Sequence, residues 1–164
     1  MTAYSYPRKV RIISFKEGDY FNIFPMDLLA PIPGTNRFVF GLRHTNLTLS
    51  KIIETGKIVV SEVSYELKED IYKLGKHHSS APPSLESLPF ATTPSKNLAF
   101  PVPGPASSYK EIRITKTIDQ GSHMLMWGET LYEEKSSVPF PGFYHIHFLL
   151  FLHQERNKRH YKLA

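Results

Sequence analysis

The stretch from residue 37 to residue 64 constrains the fold more than any other part of this chain. Residues 37–42 are rich in β-forming side chains, and residues 57–63 are again β-branched. Between them, residues 48–55 carry apolar side chains at helical spacing, and Gly56 follows where a helix end favours glycine. The pattern predicts a strand, a polar turn, a short helix and a second strand.

The turn that precedes this helix is polar and contains a cation. Thr45, Asn46 and Thr48 crowd the helix start, directly after Arg43 and His44. A helix N-terminus carries unpaired N–H groups and a partial positive charge, so these side chains could form an anion site. By spacing alone, an ordinary N-cap beside a solvated arginine is the simpler interpretation.

The other elements are predicted from similar patterns. A helix begins at Ser64 and ends at Gly75, and three prolines make 24–34 a stiff, extended surface segment. No repeat or strand–helix crossover pattern occurs, so the sequence predicts a mostly β, antiparallel barrel with two short helices. The predicted strands are residues 9–15, 20–24, a hairpin of 109–118 and 123–132, and 143–153.

A proline-rich segment covers residues 77–105. It contains seven prolines and few charges, which argues against regular structure, yet Leu88 and Phe100 are too apolar for a free linker. We therefore expect a long ordered loop that packs over the barrel or over a partner subunit.

Composition sets the broad class. A chain of 164 residues with 41% apolar residues is large enough for one folded domain, residues 1–164. The sequence contains no cysteine, which excludes disulfides and cysteine chemistry. No signal-peptide core or membrane-spanning run is found, so a cytoplasmic protein without a membrane partner is expected. The formal charge of +5 favours anionic partners in general.

Two separated segments resemble the flavin reductase-like family, the FMN-binding split barrels. In the first, Ile52 follows Thr48 by four residues, and a small-residue turn leads to a strand that ends at Ser61, where the family usually has asparagine. In the second, residues 121–129 are similar to the family's G-D-H-x-x-x-x-G-E/K, with Ser122 in the aspartate position. The resemblance extends over residues 9–132.

The resemblance implies an antiparallel split β-barrel that binds FMN in a cleft between the subunits of a homodimer. The phosphate would lie at the start of the predicted helix with Arg43 as counter-charge, and Ser61 would point toward the ribityl chain or phosphate. The isoalloxazine ring would lie against residues 22–27, and His123 would stand beside the reactive face of the flavin, as the catalytic candidate. The implied cofactor-binding residues are Phe24, Pro25, Met26, Asp27, Arg43, Thr45, Asn46, Thr48 and Ser61.

Some of these residues have a simpler structural interpretation. Phe24 and Met26 could be core residues, and His123 could be a solvent-exposed histidine of a hairpin turn. The family commonly carries a further contact after the second helix, for which Lys76, His77 and His78 are equal candidates.

The leading functional hypothesis is an FMN-dependent, flavin reductase-like oxidoreductase that takes hydride from NAD(P)H and passes electrons to an unknown acceptor. The alternatives are a non-enzymatic FMN-binding or electron-carrier protein and, less favoured because the positive charge is scattered, a nucleic-acid-binding β-barrel. No metal site is predicted, because His153 would lie about 20 Å along one strand from the His145 and His147 pair. Hydrolase and nucleoside-triphosphate motifs do not occur.

Overall fold

A computed structural model describes residues 8–75, 84–136, 143–146, 150–154 and 161–163. The helices are α1 (Leu49–Thr55) and α2 (Lys68–Gly75), with 3-10 turns at Tyr65–Leu67 and Leu85–Ser87. The strands are β1 (Arg8–Lys9), β2 (Arg11–Glu17), β3 (Tyr20–Met26), β4 (Leu29–Pro31), β5 (Arg37–Arg43), β6 (Lys57–Val63), β7 (Thr92–Pro94), β8 (Pro101–Pro103), β9 (Ala106–Asp119), β10 (His123–Lys135), β11 (Phe143–Ile146), β12 (Leu150–Gln154) and β13 (Tyr161–Leu163).

The main sheet has seven strands in the order β3-β2-β6-β9-β10-β5-β4, and its neighbours pair antiparallel. Its two edge strands, β3 and β4, follow each other in the chain through only Asp27 and Leu28. So short a connection requires the sheet to curl until its edges approach, which produces a half-barrel. The predicted mostly β fold with an antiparallel barrel and two short helices is confirmed. A second sheet has the order β1-β11-β12-β13.

The interior of the curled sheet is one apolar core. Alternate residues of a strand point to the same face, so each strand contributes side chains to the interior. Ile13, Phe40, Ile58, Ile112 and Met126 are at most 1% exposed and belong to this core. Helix α1 closes one end of the barrel with Leu49 and Ile52, and it ends, as predicted, at Gly56 in the left-handed conformation with φ 64°.

The outer face of β2, β3 and β6 carries a second core. Ile12 and Val63 pack there with Ile71 of α2, Leu88 and Phe143. The predicted cap at Ser64 is present, since its hydroxyl accepts the Glu66 N–H, but the helix begins with a 3-10 turn before α2.

The prediction that residues 77–105 lack regular structure is wrong for part of the segment. Strands β7 and β8 pair antiparallel, and Leu88, Phe100 and Val102 are buried. Glu111 of β9 holds the turn between β7 and β8, because its carboxylate accepts hydrogen bonds from the backbone N–H groups of Asn97 and Leu98. Prolines at strand ends are compatible with so short a ladder. Residues 76–83, with the candidates Lys76, His77 and His78, lie outside the described residues.

Two further expectations need correction. Residues 143–146 and 150–154 form two antiparallel strands, β11 and β12, with Phe143 opposite His153, so the separation expected along a single strand does not hold. His147 and the side chains of His145 and His153 lie outside the described part. The segment 24–34 is not a surface segment throughout, because Met26 and Leu29 are 6% and 5% exposed and join the barrel core. No helix among the described residues combines the length and apolar character that a membrane crossing requires.

Candidate functional site

Thr48 lies at the start of α1 and is completely buried. Its hydroxyl accepts a hydrogen bond from Asn22 Nδ2 at 2.6 Å and is 3.1 Å from the hydroxyl of Tyr20. Its N–H donates to Asn46 Oδ1 at 2.9 Å, in a local turn that replaces a threonine cap. The Thr48 hydroxyl, predicted to face an anion, is therefore contacted by side chains from β3, and it ties that strand to the turn.

The other side of this turn is attached to the β9–β10 hairpin. His44 Nε2 lies 3.0 Å from Asp119 Oδ1, and the His44 N–H donates to the Ser122 carbonyl at 3.3 Å. The hydrogen bond from His44, followed by one from the Gly121 N–H, lowers the pKa of Asp119. The turn is thus fixed on both sides, which holds its exposed side chains in one place.

Arg43 and His123 stand directly opposite each other on the paired strands β5 and β10. Directly paired residues of antiparallel strands point to the same face, with Cβ atoms about 4.5–5.5 Å apart. His123 Nδ1 lies 2.8 Å from Ser122 Oγ, which orients the ring and leaves Nε2 for a ligand. Arg43 is exposed and forms no ion pair with any described residue. These two residues, distant in sequence, share one small surface.

The four residues of the segment 24–27 have different environments. Phe24 shares the inward face of the edge strand β3 with Met26, which is in the barrel core, and the half-buried Phe24 packs against that core. Pro25 points to the other face, under Gly75 of α2, where an added Cβ at Gly75 would lie 2.9 Å from Pro25 Cγ. Asp27 forms an ion pair with Arg8 at 3.0 Å. Phe24 is therefore the apolar side chain of the segment that packs on the core and stays partly exposed.

Ser61 lies on the opposite face of the sheet from Thr48. It pairs with Ile12, which pairs in turn with Pro25, and these three side chains share the face that α2 covers. Thr48 is bonded to Asn22, whose side chain is on the alternate face of β3. Ser61 is completely buried, and its Oγ has no hydrogen-bond partner among the described residues. The structure pairs Arg43 with His123, places Thr45 and Asn46 in the turn that follows Arg43, and leaves Ser61 on the other face of the sheet.

These residues fit a phosphorylated flavin in part. Arg43 is a cation without an ion pair to any described residue, and Thr45 and Asn46 beside it are exposed and half-buried polar groups, a donor set that suits a phosphate. Phe24 offers a partly open aromatic surface for a flat ring. The side chains of Thr48, Met26 and Ser61 are already enclosed by the fold, so any contact from Thr48 or Met26 would come from the backbone.

An apolar sheet face adjoins Arg43 and His123. Val39 and Trp127 pair with each other on the outward side, Leu125 is opposite Gly41, and Leu28 packs over that glycine. A Cβ on Gly41 would lie 2.6 Å from Leu28 Cδ2, so glycine is required for this packing. Leu28 is 44% exposed. We call this surface, formed by Leu28, Val39, Leu125 and Trp127, the outer apolar face.

The sequence did not indicate that Asn22 and Tyr20 contact the Thr48 hydroxyl. The available signal was a polar residue, Asn22, between the apolar residues Phe21 and Ile23 of a predicted strand. Gly128, part of the second segment of the resemblance, has a packing reason, because a Cβ there would lie 2.4 Å from Ile112 Cγ2 inside the barrel.

The chain has the split-barrel fold of flavin reductases and FMN-binding proteins, so the resemblance inferred from residues 48–61 and 121–129 is confirmed at the level of the fold. The FMN-binding protein from Thermus thermophilus with bound 1-cyclohex-2-enone superposes with a TM-score of 0.79 at 15% identity, over 93% of this chain and 89% of that chain.

Two other solved structures have the same fold. The 2-nitrobenzoate 2-nitroreductase NbaA of Pseudomonas fluorescens superposes with a TM-score of 0.79 at 19% identity, over 94% of this chain and 84% of that chain. BorF, the flavin reductase component of a bacterial two-component tryptophan halogenase, gives 0.78 at 14% identity, over 92% of each chain.

Comparison by sequence finds an uncharacterized protein of Archaeoglobus fulgidus, 28% identical over 134 residues, which are 80% of this chain and 75% of that protein. No protein-family profile matches the chain.

Proposed function

We propose that this protein binds FMN and acts as a flavin reductase-like oxidoreductase that takes hydride from NAD(P)H. The observation that carries the proposal is the placement of Arg43 opposite His123 on paired strands, beside a fixed turn and at the end of the outer apolar face. The names of the proteins that share the fold, which include FMN-binding proteins and flavin reductases, support the same class of cofactor.

Each residue of this surface has a distinct role in the proposal. When bound, the flavin accepts a hydride and delivers electrons to an acceptor. Arg43 neutralises the phosphate, with Thr45 and Asn46 as additional donors or backbone contacts. Phe24 supports the ring, and His123, oriented by Ser122, binds the nicotinamide beside it. No acid–base group is needed in this arrangement, because the protein supplies binding and orientation.

The direct test is the absorption spectrum of the purified protein after addition of FMN and removal of unbound flavin. We expect retained flavin absorbance, and bleaching of that band when NADH or NADPH is added without oxygen. Retained flavin that neither nicotinamide reduces would favour the non-enzymatic carrier, and no retained flavin would contradict the proposal.

Arg43→Ala should weaken FMN binding by about tenfold or more, since a charge-assisted phosphate contact contributes roughly 1.5–3 kcal/mol. The matched control is Arg37→Ala, which removes an exposed arginine at the other end of the same strand. Fluorescence titration of FMN measures both affinities. Equal affinities for the two variants would place the phosphate elsewhere.

We further propose that the protein is a homodimer and that the outer apolar face is covered by a second copy. Arg43 and His123 point to the same side as Val39, Leu125 and Trp127, because they occupy alternate positions of the same paired strands. A second copy seated on this face would therefore approach the flavin surface, consistent with a cofactor held between subunits. Burying such an apolar face gives a second copy a physical reason to bind.

Leu28→Asp should raise the dimer dissociation constant by about tenfold or more, since it places a charge in an apolar contact. The control is Leu85→Asp, which changes another exposed leucine, in the 3-10 turn Leu85–Ser87. Sedimentation equilibrium gives both constants. A monomeric wild-type protein, or an unchanged constant for Leu28→Asp, would contradict the proposed interface.

A further inference from the structure

Asp119 is the last residue of β9, where the chain turns back into β10. One of its carboxylate oxygens, Oδ1, contacts two parts of the chain. His44 Nε2 lies 3.0 Å from it, and the Gly121 N–H donates to it at 2.8 Å. His44 belongs to the turn that follows β5, and Gly121 belongs to the turn between β9 and β10. A single oxygen atom therefore joins two turns that are far apart in sequence.

The hydrogen bond from Gly121 fixes the shape of the hairpin turn. An aspartate that accepts the N–H two residues further on stabilises a tight turn. Gly121 has a φ of 74°, in the left-handed region that glycine adopts readily, and the Gln120 N–H donates to the His123 carbonyl at 2.8 Å. Ser122, whose hydroxyl orients the His123 ring, follows directly. The Asp119 carboxylate thus fixes the backbone that carries His123.

The contact with His44 fixes the second turn relative to the first. The other direct hydrogen bond between the two turns, in the described part of the chain, runs from the His44 N–H to the Ser122 carbonyl. At 3.3 Å it is longer than a typical backbone bond of roughly 2.7–3.2 Å. Thr45 and Asn46, the proposed phosphate contacts beside Arg43, follow His44 directly. Their position relative to the hairpin therefore depends on the Asp119 oxygen.

The exposure of this pair limits its effect to its surroundings. The His44 and Asp119 side chains are 38% and 61% exposed, and an ion pair so open to water contributes little to global stability. The hydrogen bond from His44 is the main cause of the lowered pKa of Asp119, so the carboxylate is ionised and accepts hydrogen bonds at neutral pH. Loss of the pair should loosen the two turns and leave the barrel folded.

From this geometry we propose that Asp119 is a positioning residue of the flavin site. Through Oδ1 it holds the turn beside Arg43, which contacts the phosphate, in a fixed relation to His123, which binds the nicotinamide. Hydride transfer requires the donor and the flavin to be aligned, so a small displacement between these two contacts lowers the rate. This role rests on the proposed function, but the joining of the two turns can be measured in the protein without flavin.

The test compares two substitutions of Asp119. Asp119→Ala removes the joining oxygen, whereas Asp119→Asn removes the charge and keeps an oxygen that can accept both hydrogen bonds. Nitrogen-15 relaxation of the flavin-free protein measures the order of the two turns. We expect the order parameters of residues 45–46 and 121–122 to fall below about 0.6 in Asp119→Ala and to stay near the wild-type values in Asp119→Asn.

The matched control is Glu134→Ala at the other end of the same hairpin. Glu134 is also exposed, and its Oε2 accepts hydrogen bonds from the hydroxyls of Tyr109 at 3.3 Å and Tyr132 at 3.4 Å. This variant therefore also removes a carboxylate oxygen with two hydrogen bonds, but far from His44. It should leave the order of both turns unchanged.

A kinetic measurement on the FMN-loaded protein tests the role in positioning. The kcat/KM for the nicotinamide donor should fall by about tenfold in Asp119→Ala, mainly through a higher KM, because His123 is no longer held where the donor binds. Asp119→Asn and Glu134→Ala should stay within about threefold of the wild type. A purely structural loss would reduce the amount of folded protein without changing the KM of the molecules that remain folded.

His44→Ala covers the case in which Asp119→Ala does not fold. It keeps the bond from Gly121 and removes only the connection between the turns, so residues 45–46 should lose order while 121–122 keep it. Unchanged order of 45–46 in both variants, loss of order in Asp119→Asn equal to that in Asp119→Ala, or an unchanged KM in Asp119→Ala would each overturn the proposal. A wild-type protein that retains no flavin contradicts the proposed function instead, and this result needs no variant.

Discussion

Glu111→Ala should destabilise the protein by about 3–5 kcal/mol, because several buried donors would lose their acceptor at once. Glu111 is completely buried and accepts hydrogen bonds from Asn97 N at 2.7 Å, Asn97 Nδ2 at 2.8 Å and Leu98 N at 3.0 Å. These bonds hold the turn before Phe100, whose ring packs edge-on against Phe15 at 5.6 Å. Urea unfolding followed by circular dichroism measures the change in free energy.

The control for Glu111→Ala is Glu129→Ala on the neighbouring strand β10. Glu129 is paired with the largely exposed Arg113, so its loss should cost only about 0–1 kcal/mol. Hydrogen exchange of Asn97 and Leu98 adds a local readout, since both amides should lose protection in Glu111→Ala under native conditions. If the free energy of unfolding of Glu111→Ala is as close to the wild-type value as that of Glu129→Ala, Glu111 does not hold this turn.

The same carboxylate predicts a dependence on pH. Burial favours a higher pKa for Glu111, but hydrogen bonds from Leu98 and Asn97 outweigh it and lower the pKa below its usual value. The stabilisation from ionised Glu111 is therefore present above the unfolded-state pKa of about 4.3 and is lost as the pH falls through the folded-state pKa. Glu111→Gln should be less stable than the wild type at neutral pH, and the difference should shrink in acid. A difference that is constant with pH would contradict this assignment.

Thr48→Val should destabilise the protein by about 1–3 kcal/mol, because valine keeps the shape but removes the oxygen that Asn22 Nδ2 and Tyr20 contact. The control is Thr45→Val, which removes an exposed hydroxyl from the same turn and should change the free energy by less than about 0.5 kcal/mol. Thermal and urea unfolding of the two variants compare the roles of the two threonines.

FMN titration of the same variants separates a structural role of Thr48 from a direct contact. If the hydroxyl serves the fold, Thr48→Val should retain more FMN affinity per folded molecule than Arg43→Ala does. If Thr48→Val has normal stability but loses as much FMN affinity as Arg43→Ala does, Thr48 contacts the phosphate directly.

The elements around the candidate site could be predicted because their signals are local. The β-branched run 57–63 became β6 with those boundaries, and Gly56 ends α1 in the conformation that glycine adopts most readily. The segment 143–153 was predicted as one strand because a continuous β-rich pattern does not mark where a strand turns back. The sequence left open whether Met26 is buried, since prolines indicate an extended backbone but not which side of it is covered.

By itself, the sequence determined where the first helix and the strands of the main sheet other than β4 form, because periodicity and glycine placement act through neighbours along the chain. Only the tertiary structure decided that Arg43 meets His123, that Asn22 and Tyr20 occupy the Thr48 hydroxyl, and that Ser61 lies behind the sheet. These relations depend on strand register across long loops. A shift of register by one residue would turn each side chain to the opposite face without changing any local pattern.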